Sequence, residues 1–154
     1  MDRVLLLSVV VALLGPALPG CLLQNISASE TLRDSVVGLN DELRWQRMDL
    51  AVDRVAPSFR QEFVHAHGRW GGEVQVADTE LLRVRIDDED GSATSLVAVR
   101  WYSMRTMTLH QSTLEQNWER AGRYFILTSE DVVGGDERIF ADEPGPVLHA
   151  AEGK

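Results

Sequence analysis

The sequence predicts an α+β fold, with N-terminal helices packed on a curved four-stranded antiparallel sheet. Three observations carry this. Apolar residues first recur at helical spacing, at Leu32, Val36, Leu39 and Leu43. From Glu73 the texture changes to alternation, as in Leu82, Val84 and Ile86. Turn signals at Asp90-Gly91 and Ala121-Gly122 separate the alternating runs, so successive strands pair as hairpins.

The helical half opens at Ser27, three residues before Glu30, which is the spacing of a capping box. A second apolar phase follows at Trp45, Met48, Val52, Val55, Phe59 and Phe63. Pro57 interrupts it. Proline lacks an N–H but is tolerated in a first helical turn, so a break is expected near Ala56 and a short helix over 57–65. Gly68, Gly71 and Gly72 end the helical half. Strands are expected over 74–86, 93–104, 106–118 and 123–128. The second, ATSLVAVRWYSM, carries apolar groups on both faces, as a central strand does. From Ser129 the chain is acidic and rich in Gly and Pro, and reads as a flexible tail.

The 154 residues suit one domain with a real core. A net charge of −9 argues against nucleic-acid binding. The single cysteine, Cys21, allows no internal disulfide.

Residues 4–14, VLLLSVVVALL, form an apolar run too short to span a bilayer core of about 30 Å. The run has the length of a signal-peptide core, and Gly15-Pro16 breaks it. Leu18-Pro19-Gly20-Cys21 then resembles the bacterial lipobox, with an apolar residue at −3 and a small one at −1. The lipobox implies cleavage between Gly20 and Cys21, an S-diacylglyceryl thioether on Cys21 and acylation of its freed amine. Ordinary secretion with cleavage after Ala17, and a buried cytosolic helix, are the competing readings. Acylation disposes of an otherwise unpaired exported thiol, and multiple acyl chains give stable attachment. Leu22 stands at the position where Asp would signal inner-membrane retention, so the expected place is the periplasmic face of the outer membrane. The expected division is a signal peptide over 1–20, a lipidated terminus and tether over 21–28, the folded domain over 29–128 and the tail over 129–154.

Arg44-Trp45, Ala56-Pro57, Gln116-Asn117-Trp118 and Gly122-Arg123-Tyr124 together resemble a pattern in uncharacterised proteobacterial lipoproteins. The resemblance covers roughly residues 40–128. It implies a cystatin-like roll, related to the nuclear transport factor 2-like superfamily, and an envelope location. It brings no catalytic signature.

Rolls of that superfamily enclose a pocket between helices and sheet, and Arg100 and Tyr102, sharing a face by period two, are the ligand candidates. His110 and Glu115 are polar but fall on opposite faces. His65 and His67 are two apart at a helix end, which places them off one face, so no metal site is expected. Asp87-Asp88-Glu89-Asp90-Gly91 lacks the glycine and glutamate positions of a calcium loop and reads as a solvated turn. Trp101 and Trp118 are expected in the core; Trp45 and Trp70 are open. The expected function is a membrane-tethered, non-enzymatic binding or structural module with no cofactor. Its partners are the membrane, through the anchor, and an envelope protein. The alternative is a small-ligand carrier or enzyme using the roll's pocket.

Overall fold

The computed structural model describes residues 27–87 and 91–140. The signal peptide, the lipobox at Gly20-Cys21 and the tether up to Ile26 lie outside the described residues. So do Asp90 and the tail from residue 141.

Three helices precede a four-stranded sheet. Helix α1 spans Ala28–Arg44, α2 Met48–Asp53 and α3 Arg60–Ala66. Strands β1 (Val74–Ile86), β2 (Ser92–Ser103), β3 (Thr108–Ala121) and β4 (Tyr124–Gly135) form an antiparallel meander in chain order, and a one-turn helix, Glu137–Ile139, follows. The sheet is open, and α1 touches both edge strands, β1 and β4.

The capping box forms as expected. Ser27 Oγ accepts from the Glu30 amide at 3.2 Å, and Glu30 Oε2 accepts from the Ser27 amide at 3.0 Å. Two orphan amides at the start of α1 are thereby satisfied. At the other end the chain turns left-handed at Gln46, with φ of 59°. The Arg47 amide then bonds the Glu42 carbonyl at 2.8 Å, and the Gln46 amide bonds the Leu43 carbonyl at 3.1 Å. This is a Schellman stop built without glycine. The expected stripe Leu32, Val36, Leu39 and Leu43 is buried against the sheet.

The break near Ala56 is present, but α3 starts at Arg60 rather than Pro57, because residues 57–59 form a turn. The Ala56 amide bonds the Leu127 carbonyl at 2.8 Å, and the Leu127 amide bonds the Arg54 carbonyl at 2.9 Å. The linker between helices thus docks on the outer edge of β4.

Two expectations are corrected. Leu82 does not share a face with Val84 and Ile86. Register shifts after Val76 and Leu81 insert an extra residue, so Val74, Val76, Leu81, Val84 and Ile86 face the core while Leu82 is exposed. The folded domain also does not end at residue 128. Strand β4 runs to Gly135, and Ile139 beyond it is fully buried. Shifts in the β3–β4 register between Thr113 and Leu114 and between Asn117 and Trp118 break the period-two pattern, so the alternation changes phase at Thr128 while pairing continues. Gly135, with φ of 78°, lets the chain turn tightly: a Cβ there would strike the Gln111 carbonyl.

Candidate functional site

The space between helices and sheet is filled. Trp101 and Trp118 point inward with Phe63, Leu114, Phe125 and Leu127, and all are buried. Each indole N–H finds a hydroxyl: Trp101 Nε1 bonds Ser112 Oγ at 3.0 Å, and Trp118 Nε1 bonds Ser95 Oγ at 3.0 Å. Ser95 donates on to Gln116 Oε1 at 3.1 Å, which also accepts from Asn40 Nδ2 at 3.2 Å. Gln116 Nε2 donates to Glu130 Oε1 at 2.7 Å. A polar network therefore ties α1, β2, β3 and β4 together inside the core.

The network ends on an acid–imidazole pair. Glu130 Oε2 and His67 Nε2 lie 3.1 Å apart, with side-chain exposures of 2% and 0%. Among the described residues neither atom has another partner. The other ring nitrogen, Nδ1, lies 2.8 Å from the Phe63 carbonyl. A carbonyl only accepts, so Nδ1 carries a hydrogen. One further proton must then lie between Nε2 and Oε2, as imidazolium–carboxylate or as imidazole–carboxylic acid. Phe63, Trp70 and Phe140 surround the ring at centroid distances of 4.2, 4.5 and 5.0 Å. The sequence placed His67 at a helix end, where it does cap α3, but gave no sign of its partner in the supposed tail. Among the described residues no three His, Cys, Asp or Glu side chains are grouped to hold a metal.

The ligand assignment of Arg100 and Tyr102 is corrected. On β2 the alternate residues Val97, Val99 and Trp101 face the helices, so Arg100 and Tyr102 share the opposite, solvent-facing side of the sheet. Arg100 is paired with Asp78 on β1, which also binds Arg44 Nη1 at 3.2 Å. The two guanidinium groups hold the Asp78 carboxyl below its ordinary range, through the Arg100 hydrogen bond first. This is a cross-strand tie on a solvated face. Trp45 is 65% exposed, whereas Trp70 is partly buried and donates to the Ile139 carbonyl at 3.2 Å. His110 and Glu115 fall on opposite faces of β3, as expected; His110 stacks on Trp101.

The larger opening lies elsewhere. A cleft of about 600 Å³ runs between α1, α2 and the start of β4. Ser35, Leu50, Tyr124 and Phe125 line it, with Asp34, Asp53 and Arg123 among its charged groups. At its side Arg54 grips Glu42 through two bonds, at 2.7 and 2.9 Å. That carboxylate raises the Arg54 pKa, against the opposing effect of burial. Asp34, Asp53 and Arg123 have no ion-pair partner among the described residues. Tyr124 is 67% exposed at the tip of the β3–β4 hairpin. Period two places the Phe125 amide on the strand edge, where it bonds the Ser35 hydroxyl at 3.4 Å. The cleft is not legible in the sequence, because its residues are scattered over three elements and carry no spacing signal.

No family model matches the chain, and no curated protein matches it. Among solved structures it is similar to the solution structure of a SEC-C motif containing protein from Rhodopseudomonas palustris. The TM-score is 0.55 at 14% identity, over 65% of this chain and 77% of that one. At that identity the likeness concerns the fold alone. It joins this chain to a bacterial α+β protein.

Proposed function

We propose that this protein is a lipid-anchored binding module of the bacterial cell envelope. Cys21 holds it at the periplasmic face of the outer membrane, and the α1/α2/β4 cleft receives a protein partner without catalysis. The observation that carries the binding reading is the cleft itself. It joins apolar groups, Leu50 and Tyr124, with the charges of Asp34, Asp53 and Arg123 in one opening. The sealed interior supports it from the other side. The Glu130–His67 pair would suit acid–base chemistry, but tryptophan and phenylalanine fill the space where a substrate would sit. The lipobox, with Leu22 after the cysteine, supports the anchor and the outer-membrane address. The helix-then-meander order, together with the proteobacterial lipoprotein pattern, supports a cystatin-like roll.

The test is site-specific photocrosslinking in intact envelopes. A crosslinking residue at Tyr124 is expected to trap one reproducible partner. The same residue at Arg83, on the solvent-facing side of the sheet, is expected to trap none. Equal trapping from both positions, or none from Tyr124, would sink the cleft assignment.

A further inference from the structure

Away from the cleft and its partner, one border of the sheet stands open. Strands β1 and β4 are the two edges, and their outer sides differ. The linker closes β4 through the bonds of Leu127 with Arg54 and Ala56. On β1 the loop bonds reach only Val74, from Gly71 and Arg69. Arg44 then reaches Asp78 from the helical side and covers the edge there. Among the described residues no other segment bonds the outer side of the backbone over 80–86. An unpaired edge is a template for another strand.

Charges and bulges usually guard such an edge, and here the guard is selective. Glu80 stands opposite Ala98 and Arg83 opposite Leu96, both on the solvent-facing side of the sheet with Arg100. Three positions apart would put them on opposite faces. The extra residue inserted between Leu81 and Arg83 brings them back to one. Both are exposed, and neither makes an ion pair among the described residues. Glu80 acts on Arg100 from a distance, but the Arg100 hydrogen bond goes to Asp78. Leu82, beside them, is 51% exposed.

A second copy laid antiparallel on this edge, with the two-fold near Leu81, sets Glu80 of each copy opposite Arg83 of the other. Opposite charges across a strand pair attract, and like charges repel. A parallel register would set Glu80 against Glu80 and Arg83 against Arg83. The two-fold runs along the sheet normal, so both helical layers stay on one side. The stretch is short and the contact weak, but tethering both copies to one surface raises their effective concentration.

We infer that the protein pairs with a second copy of itself through the open edge of β1, antiparallel, with reciprocal Glu80–Arg83 contacts flanked by Leu82.

The test is the mass of the full chain in density-matched non-ionic detergent, read by sedimentation equilibrium. The wild-type chain is expected to approach twice the single-chain mass as concentration rises. Glu80→Arg and Arg83→Glu should each weaken association by about tenfold or more, because both cross-strand pairs become repulsive. An equimolar mixture of the two variants should regain the wild-type mass, since each supplies the charge the other lacks. Both positions are exposed, so circular dichroism should show each variant folded. A single-chain mass up to about 1 mM overturns the inference. So does a dimer that either reversal leaves intact, or a mixture of folded variants that stays monomeric. The pairing needs the Arg83 guanidinium, so a crosslinker substituted there removes the contact and remains a silent control for the cleft. Failure of the pairing leaves the cleft reading standing.

Discussion

His67→Leu should be among the most damaging single substitutions in this protein, while Glu130→Gln should be nearly silent. The contrast follows from the hydrogen count. Removing the imidazole leaves Glu130 Oε2 buried with no partner among the described residues, since it faces His67 Nε2. Breaking a buried ion pair from one side costs about 3–5 kcal/mol. Glutamine at 130 behaves differently. Its carbonyl oxygen can accept from Gln116 Nε2, which now bonds Oε1 at 2.7 Å. Its amide can donate to the bare Nε2 of a neutral His67, whose Nδ1 hydrogen stays on the Phe63 carbonyl. Every bond is retained and just the second amide hydrogen gains no acceptor, so the cost should be about 1 kcal/mol, well below that of His67→Leu. Urea unfolding reads the difference. With a slope of about 1–3 kcal/mol per molar, His67→Leu should lower the midpoint by roughly 2 M and Glu130→Gln by less than about 0.7 M. The double variant His67→Leu/Glu130→Leu should recover only part of the loss, because the two apolar groups need no partners but buried Gln116 Nε2 loses its acceptor at position 130. Equal midpoints for the two single variants would refute the shared-proton description of the pair.

Other predictions concern separate features. Ser27→Ala removes one side of the capping box and should cost about 1 kcal/mol, read by thermal unfolding. Gly135→Ala forces a Cβ onto the Gln111 carbonyl at a left-handed φ, and should destabilise more than Ser27→Ala in the same assay. Asp136 has a carboxyl pKa lower in the fold than in the unfolded chain, with Arg138 as the main cause. Its contribution is therefore complete above about pH 4 and is lost as pH falls further, because the unfolded chain takes up the proton first. Asp136→Asn should flatten that acid limb of stability while changing its slope little above pH 5. Cys21→Ser should abolish acyl labelling and leave uncleaved precursor; normal maturation of the variant would remove the anchor from the proposed function.

The parts of the fold legible in the sequence are those with an uninterrupted period. The stripe from Leu32 to Leu43 and the Ser27–Glu30 pair fix α1, because one helix repeats one spacing for seventeen residues. Strand β2 pairs with β3 without a register shift, so its ends were readable, but only one of its faces is covered: Val97, Val99 and Trp101 are buried while Arg100 and Tyr102 are exposed. Failure came where one inserted residue resets the phase. In β4 the core-facing residues run Phe125 and Leu127, then Glu130 and Val132, a step of three in a series of twos. To a period-two reading this looks like the end of a strand. The acidic composition of 129–136 then strengthens the wrong conclusion, because a buried glutamate is indistinguishable in sequence from a solvated one.

The candidate sites were hidden for a related reason. Parity along β2 correctly put Arg100 and Tyr102 on one side, but parity does not say which side the helices cover. Trp101 decides that: a strand carries either its tryptophan or its neighbouring arginine toward the helices, and only the indole can be buried with one hydrogen bond to Ser112. Had the core position of Trp101 been used to orient the strand, Arg100 would have been assigned to solvent at once. The same step assigns His110 inward, since it pairs with Trp101 across the β2–β3 ladder. It then needs a partner from whichever segment closes that end. The segment is Asp136–Arg138, reached only because Gly135 turns the chain back over β3. Both the core dyad and the closure over His110 thus depend on residues 130–138, the stretch that composition alone would discard.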